Sequence, residues 1–391
     1  MRKPLLYFAS ALILLPALWA FASRPAVSLL AAFDILSDRG GPLAWIHPEV
    51  KKEGVRIPVG GRTLEADFYR RSGPGGSIKR PGLLLIHGLA EAGKDDPKLV
   101  RFARTMARAG FAVLVPDFTG LKSFRVRRDS VGEVAAAFDH LAAKTPGVRP
   151  GKNGILGISF GGGIGLLAAA DAGIRERVAY VVSFGGYYDL SNVIRYYTTG
   201  GYAYGPERGI GNPVPWAKWY LILKNPDFLE DPADRTVFDA MARRKLREET
   251  ADVSGWVKRL SPRGRALYDV LAERDFSRFP PLYAKVSPRV RDLLRALSLP
   301  EKIRDVKAEV ILSHGIPDPL IPHTETLRLA DALKGRGGAG GPDVSVTLLR
   351  LFRHVDPAGP AGTESLGWLE KVQEGWKFFR LVDRIRARAG L

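Results

Sequence analysis

The 391-residue sequence contains no cysteine. Disulfides, thiolate metal sites and a cysteine nucleophile are therefore excluded, and redox chemistry gives no guide to compartment. No Walker-type lysine follows its glycine-rich turns and no H-E-x-x-H pair occurs, so neither a P-loop nor a zincin-type site is indicated. No metal and no diffusible cofactor is implied. Histidine is scarce: only His47, His87, His140, His314, His323 and His354 could serve as a base. Acidic residues are outnumbered 41 to 59, which gives a net charge of +18. No nucleic-acid module accompanies that charge. The basic runs Arg125–Arg128 and Arg243–Lys245 thus read as solvated helix faces, with attraction to an anionic surface as the functional alternative.

Long uncharged runs are also rare. The exception is Leu5 to Ala22, which follows Arg2-Lys3 and precedes Ser23-Arg24-Pro25. Eighteen residues as a helix would cover about 27 Å, close to a bilayer's hydrocarbon thickness. Ala20-Phe21-Ala22 also fits a signal-peptidase site. Residues 1–25 are therefore expected to be a cleaved signal or a retained anchor. Both export the remainder, which would be membrane-anchored and facing the periplasm or outside, or secreted. Burial of this segment in a core is the third reading.

The central feature is Gly157-Ile158-Ser159-Phe160-Gly161, after the apolar run Gly154–Leu156 and before the small-residue helix pattern Gly162–Ala170. A serine on such a strand-to-helix turn has its hydroxyl thrust out of the sheet, and flanking glycines avoid the clashes. The bland alternative is a glycine-rich turn with a bystander serine. A serine nucleophile needs a base and an acid that orients it. The best acid is Asp318, in a Gly- and Pro-rich turn after the strand pattern Val310–Leu312. The best base is His354, after the strand pattern Val344–Leu351. Asp318 could instead bond its own backbone in the turn, and His354 could be a half-buried loop histidine. Gly82–Ile86 forms another buried run and ends in His87-Gly88, so the amide of Leu89 together with that of Phe160 is expected to form an oxyanion hole. His87 is expected to hold that loop in shape.

Taken together, His87-Gly88, Val115–Gly120, Gly157–Gly161, Gly315 with Asp318 and Ile321-Pro322, and His354 resemble the α/β-hydrolase superfamily over roughly residues 54 to 388, except a central insertion. The resemblance implies an eight-stranded, mostly parallel sheet with helices on both faces and a Ser-Asp-His triad at its C-terminal edge. The serine departs from the cysteine nucleophile of dienelactone hydrolases, whose core pattern is otherwise similar. Periodicity agrees: eight strand-like runs, the first two joined by Gly60-Gly61, alternate with helix-length segments such as Lys98–Ala109, Val131–Ala143 and Thr324–Leu333. Alternating strand and helix is an α/β doubly wound pattern, with sites at strand C-termini.

The core is accordingly expected at 50–190 and 300–391, with a lid insertion at 190–299. Six tyrosines cluster there or just before it, among them Tyr187 and Tyr188, which are expected to bind substrate in an aromatic-lined lid. Packing of a small cap is the competing reading. Gly205 to Trp216 reads as a loop, and helices are expected at Val237–Glu248 and Pro288–Ala296. The expected chemistry is serine-dependent cleavage of a small-molecule carboxylic ester through an acyl-enzyme. An exported serine peptidase or acyltransferase could use the same triad, and a non-catalytic binding protein could carry the same fold.

Overall fold

Sheet formation starts at a two-glycine turn. Gly60 and Gly61 both take positive φ, +53° and +78°, and they close β1 (Val50–Val59) onto β2 (Arg62–Arg71) with Val59 opposite Arg62. The computed structural model describes residues 23–391 apart from 38–39, 48, 72–78, 336–340, 355 and 358–365. Residues 1–22, which hold most of the expected signal or anchor segment 1–25, lie outside the described residues. Among those described, no helix is long and apolar enough to cross a membrane.

Six further strands complete the sheet: β3 (Arg80–Ile86), β4 (Ala112–Pro116), β5 (Val148–Ile158), β6 (Tyr180–Phe184), β9 (Glu309–Gly315) and β10 (Val344–Leu349). Their order is β1-β2-β4-β3-β5-β6-β9-β10, and all pairings from β4 to β10 are parallel. Strands buried on both faces need apolar residues throughout, which is why β3 and β4 read as uninterrupted apolar runs. Within β3, Leu83 and Leu85 enter one core layer, while Leu84 and Ile86 enter the other. Helices Arg24–Leu36, Pro97–Arg108 and Trp368–Arg388 cover the first layer. Helices Asp129–Asp139, Phe160–Ala169 and Thr324–Lys334 cover the second.

Between β6 and β9 the chain builds helices Leu190–Thr199, Ala217–Lys224, Pro232–Arg247, Pro262–Ala272 and Pro288–Ala296. Their apolar residues, including Val193, Trp219, Phe238 and Leu294, join the same buried cluster as the second layer. Part of the expected Gly205–Trp216 loop is a hairpin: β7 (Gly201–Tyr204) pairs with β8 (Glu207–Ile210). Gly205, at φ +56°, makes the turn, so here glycine marks a reversal and not a loop. The basic runs are largely paired at the surface. Arg125 meets Asp227 at 2.9 Å, Arg127 meets Asp129 at 2.6 Å, and Arg243 meets Asp239 at 2.8 Å.

Candidate active site

Ser159 sits between β5 and helix Phe160–Ala169 at φ +56° and ψ −127°. A side chain pays strain to stand in that region, and the surroundings must hold it there. Its N–H donates to the Phe184 carbonyl at 2.8 Å, and its own carbonyl accepts from the Gly162 N–H at 2.8 Å. The turn is too tight for a residue larger than glycine at its start, since a Cβ on Gly157 would drive into the Gly161 carbonyl. We expect Gly157→Ala to cost about 3 kcal/mol or to displace the elbow, since backbone cannot move aside as a side chain can. Thermal unfolding checks this, and an unchanged Tm would contradict it.

Asp318 lies in the turn after β9 and is almost wholly buried. Its Oδ1 accepts from the Leu320 and Ile321 amides at 2.7 and 2.9 Å. Its Oδ2 accepts from His354 Nδ1 at 2.6 Å and lies 3.2 Å from His314 Nε2. Burial by itself would raise this carboxyl, but the imidazoles of His354 and His314 outweigh it and hold the group well below the usual carboxylate range. His314 has a defined tautomer. Its Nδ1 faces the Thr326 hydroxyl at 2.7 Å and its Nε2 faces the Ile321 carbonyl at 2.9 Å, so Nε2 carries the proton and leans on Asp318.

His354 is held at φ +59° after β10. Its loop packs directly on the end of β9, where a Cβ on Gly315 would strike the Phe352 carbonyl. That close approach puts the ring over Asp318. His87 has both ring nitrogens engaged: Nδ1 with the Gly88 carbonyl at 2.7 Å, and Nε2 accepting from the Phe118 N–H at 3.1 Å. It ties the Gly88-Leu89 loop to the end of β4, and burial lowers its pKa.

Ser159, His354, Leu89 and Phe160 all line one cavity of about 880 Å³. Among the described residues, no hydrogen bond joins the Ser159 hydroxyl to His354, and neither the Leu89 nor the Phe160 amide donates to a protein acceptor. Catalytic contacts of this kind are commonly long before substrate binds. Phe124, Ser159 and His354 are the three non-glycine residues with positive φ among those described, and all three line this cavity.

Tyr187 and Tyr188 do not line it. Tyr187 is fully buried, tilts against Phe160 and donates its hydroxyl to the Leu297 carbonyl at 2.8 Å. Tyr188 offers its backbone to Glu325 and packs on the core from outside the cavity. Tyr197, Trp216 and Tyr220 supply the aromatic wall instead, with Ile35, Leu36 and Phe102 from the other side. The sequence reading did not single out His314, Glu325, Tyr220, Ile35, Leu36 or Phe102, whereas Tyr197 and Trp216 belong to the aromatic cluster expected to line the lid. His314-Gly315, beside a strand end, was the available signal for the first. Among the described residues, no three His, Asp or Glu side chains are grouped to hold a metal ion.

Glu325 fastens the start of the insertion to helix Thr324–Lys334. It accepts from the Tyr188 and Asp189 amides at 3.1 and 2.7 Å, and from Asn192 Nδ2 at 3.0 Å. Burial pushes its pKa up from 4.5 to about 7. The unfolded chain sheds this proton near 4.5 and the folded chain keeps it to about 7. Its stabilising effect is therefore complete below 4.5 and lost as pH rises through about 7, a loss of at most about 3 kcal/mol. Comparing Tm between pH 5 and 8 should show wild type losing stability relative to Glu325→Gln. Parallel curves would refute the assignment.

A family model described as "alpha/beta hydrolase fold" matches residues 81–198. A search of curated proteins finds none that matches the sequence. Among solved structures, an acylaminoacyl peptidase of Pyrococcus horikoshii shares 13% identity at TM-score 0.49, covering 87% of this chain and 41% of its own. The present chain thus spans about two fifths of that peptidase. A dienelactone hydrolase of Anabaena variabilis shares 16% identity at TM-score 0.42, over 84% of this chain and 96% of that one. An esterase of Pyrococcus furiosus shares 12% at TM-score 0.45, over 89% and 94%. At such identities a likeness carries nothing about substrate.

Proposed function

We propose that the chain, whose residues 81–198 match the alpha/beta hydrolase fold model, is a serine hydrolase of that superfamily acting on carboxylic esters. One observation carries the reading. A serine forced to positive φ shares a cavity with a histidine whose Nδ1 is 2.6 Å from a buried carboxylate. Ser159 Oγ attacks the ester carbonyl carbon as His354 Nε2 takes its proton. Asp318 accepts from Nδ1–H and stabilises the imidazolium. The Leu89 and Phe160 amides receive the developing oxyanion, the latter at a helix N-terminus. The tetrahedral adduct collapses, the C–O bond breaks, and His354 returns its proton to the leaving alcohol. A water deprotonated by His354 then attacks the acyl carbon and releases the acid and Ser159.

The wall of Phe102, Trp216, Tyr220 and Leu320 favours an apolar acyl or alcohol group over a charged peptide. In this reading, residues 190–299 act as the cap over the site, and the leader exports the enzyme. The test is labelling with a fluorophosphonate, followed by parallel assays on esters, peptides and acyl acceptors. The proposal predicts a single label at Ser159 and turnover of esters above amides. No label would favour the binding-protein alternative, and faster amide cleavage would favour a peptidase.

A further inference from the structure

Exposed large apolar side chains are few on this surface and unevenly placed. Leu29 and Phe33 lie one turn apart on helix Arg24–Leu36, and Trp45 and Ile46 end the short helix Pro42–Ile46. Trp368, Leu369, Val372 and Trp376 form a stripe at helical spacing on the first turns of Trp368–Arg388. Exposure is high: 59% for Phe33, 79% for Trp45, 73% for Trp368 and 58% for Trp376. All three helices bury their opposite faces in the same core layer, so these residues project from one side of the molecule. Asp383 ties the last of these helices to the first, receiving Arg24 Nε at 3.2 Å and the Ser28 hydroxyl at 2.9 Å.

We propose that this side docks on a lipid bilayer with an anionic surface. Three observations select that occupant over another protein. Helix Arg24–Leu36 begins two residues after the uncharged run Leu5–Ala22, so any bilayer holding that run lies at the root of this face. Tryptophan set among cationic residues is the composition of an interfacial surface, and Lys371, Arg380 and Arg384 are exposed on the same helix as the stripe, with no ion pair among the described residues. The whole chain is strongly basic, which attracts anionic headgroups.

Helix Arg24–Leu36 also reaches the cavity, because its last residues, Ile35 and Leu36, form part of the wall. Docking would then set the cavity beside the acyl phase, and the ester would arrive from lipid. This consequence rests on the hydrolase reading, whereas the docking does not.

The absence of cysteine permits a clean test. The full chain, with single substitutions Phe33→Cys, Val372→Cys, Trp376→Cys or, on the opposite layer, Ala143→Cys, is labelled with a fluorophore and reconstituted at low density in phosphatidylglycerol–phosphatidylcholine vesicles. A lipid-phase quencher should strike the first three labels at least threefold more than the label at 143, and an aqueous quencher the reverse. Equal aqueous quenching at all four positions would overturn the proposal, since the face would then stand in water. Shielding from both quenchers would overturn it in favour of cover by residues 1–22 or by a second copy. Turnover of a soluble short-chain ester is measured alongside. Its absence in every form, wild type included, would remove the hydrolase reading while leaving the quenching result intact.

Discussion

Replacing Ser159 by alanine should lower ester turnover by about 10³-fold or more while leaving Tm within a degree or two of wild type. The magnitude follows from the serine's role. Without Oγ there is no acyl-enzyme, and what survives is the help that the Leu89 and Phe160 amides give to direct attack by water. Folding should be spared for a local reason. The hydroxyl makes no hydrogen bond with other described residues, and the elbow is held by backbone contacts to Phe184 and Gly162 that alanine retains. Alanine also keeps the Cβ, so it neither adds to nor relieves the strain at φ +56°. Steady-state kinetics with a chromogenic ester, paired with fluorophosphonate labelling, measure both halves of the expectation. Turnover within tenfold of wild type would remove Ser159 from the chemistry.

The elements that place Ser159 were legible for a simple reason. In a parallel sheet covered on both faces, a strand must be apolar along its length, so β3, β4, β6 and β9 announce themselves in the sequence. The start of β5 did not. Its first residues, Val148 to Lys152, include two charges, a proline and a glycine and pair only with Arg80 and Pro81 before the register shifts, so nothing in their composition signals a strand. Hairpin β7–β8 was hidden for the opposite reason. Four-residue strands around Gly205-Pro206 look like loop to any reading that weighs glycine and proline.

The site was legible where one side chain sits at the end of an apolar run. It was not legible where function depends on which way a side chain turns. Tyr187 and Tyr197 belong to one tyrosine-rich stretch. The first packs inward beneath Phe160, while the second faces the cavity. Nothing in the spacing separates them, because the chain changes direction between β6 and helix Leu190–Thr199. His314 was hidden in a similar way. A histidine inside a buried strand could be a satisfied core residue, and its closeness to Asp318 appears only once the turn folds back and brings Ile321 to its ring.

That fold-back makes Asp318→Asn the more informative of the two substitutions at the triad. The carboxylate has two unlike ends. Oδ1 is fixed by the amides of Leu320 and Ile321, both donors, whereas Oδ2 meets His354 Nδ1 and the Nε2–H of His314. An asparagine must keep its carbonyl oxygen toward the two amides, so its NH₂ replaces Oδ2. That NH₂ donates to His354 Nδ1 and so places the ring proton on Nε2, the nitrogen that should receive the proton of Ser159. The base is present but already occupied. We therefore expect kcat to fall about 10⁴-fold with little change in KM, as a wrong histidine tautomer produces elsewhere. The same NH₂ also faces the Nε2–H of His314, a donor against a donor that leaves His314 with the Ile321 carbonyl alone as acceptor, so Tm should drop by an amount equivalent to about 1–3 kcal/mol. Asp318→Asn and His314→Gln part company here. The glutamine variant leaves the His354 tautomer intact and should lose stability with far less loss of turnover. If the two lost turnover equally, Asp318 would be a structural anchor of its turn and the orientation of His354 would have to come from another group.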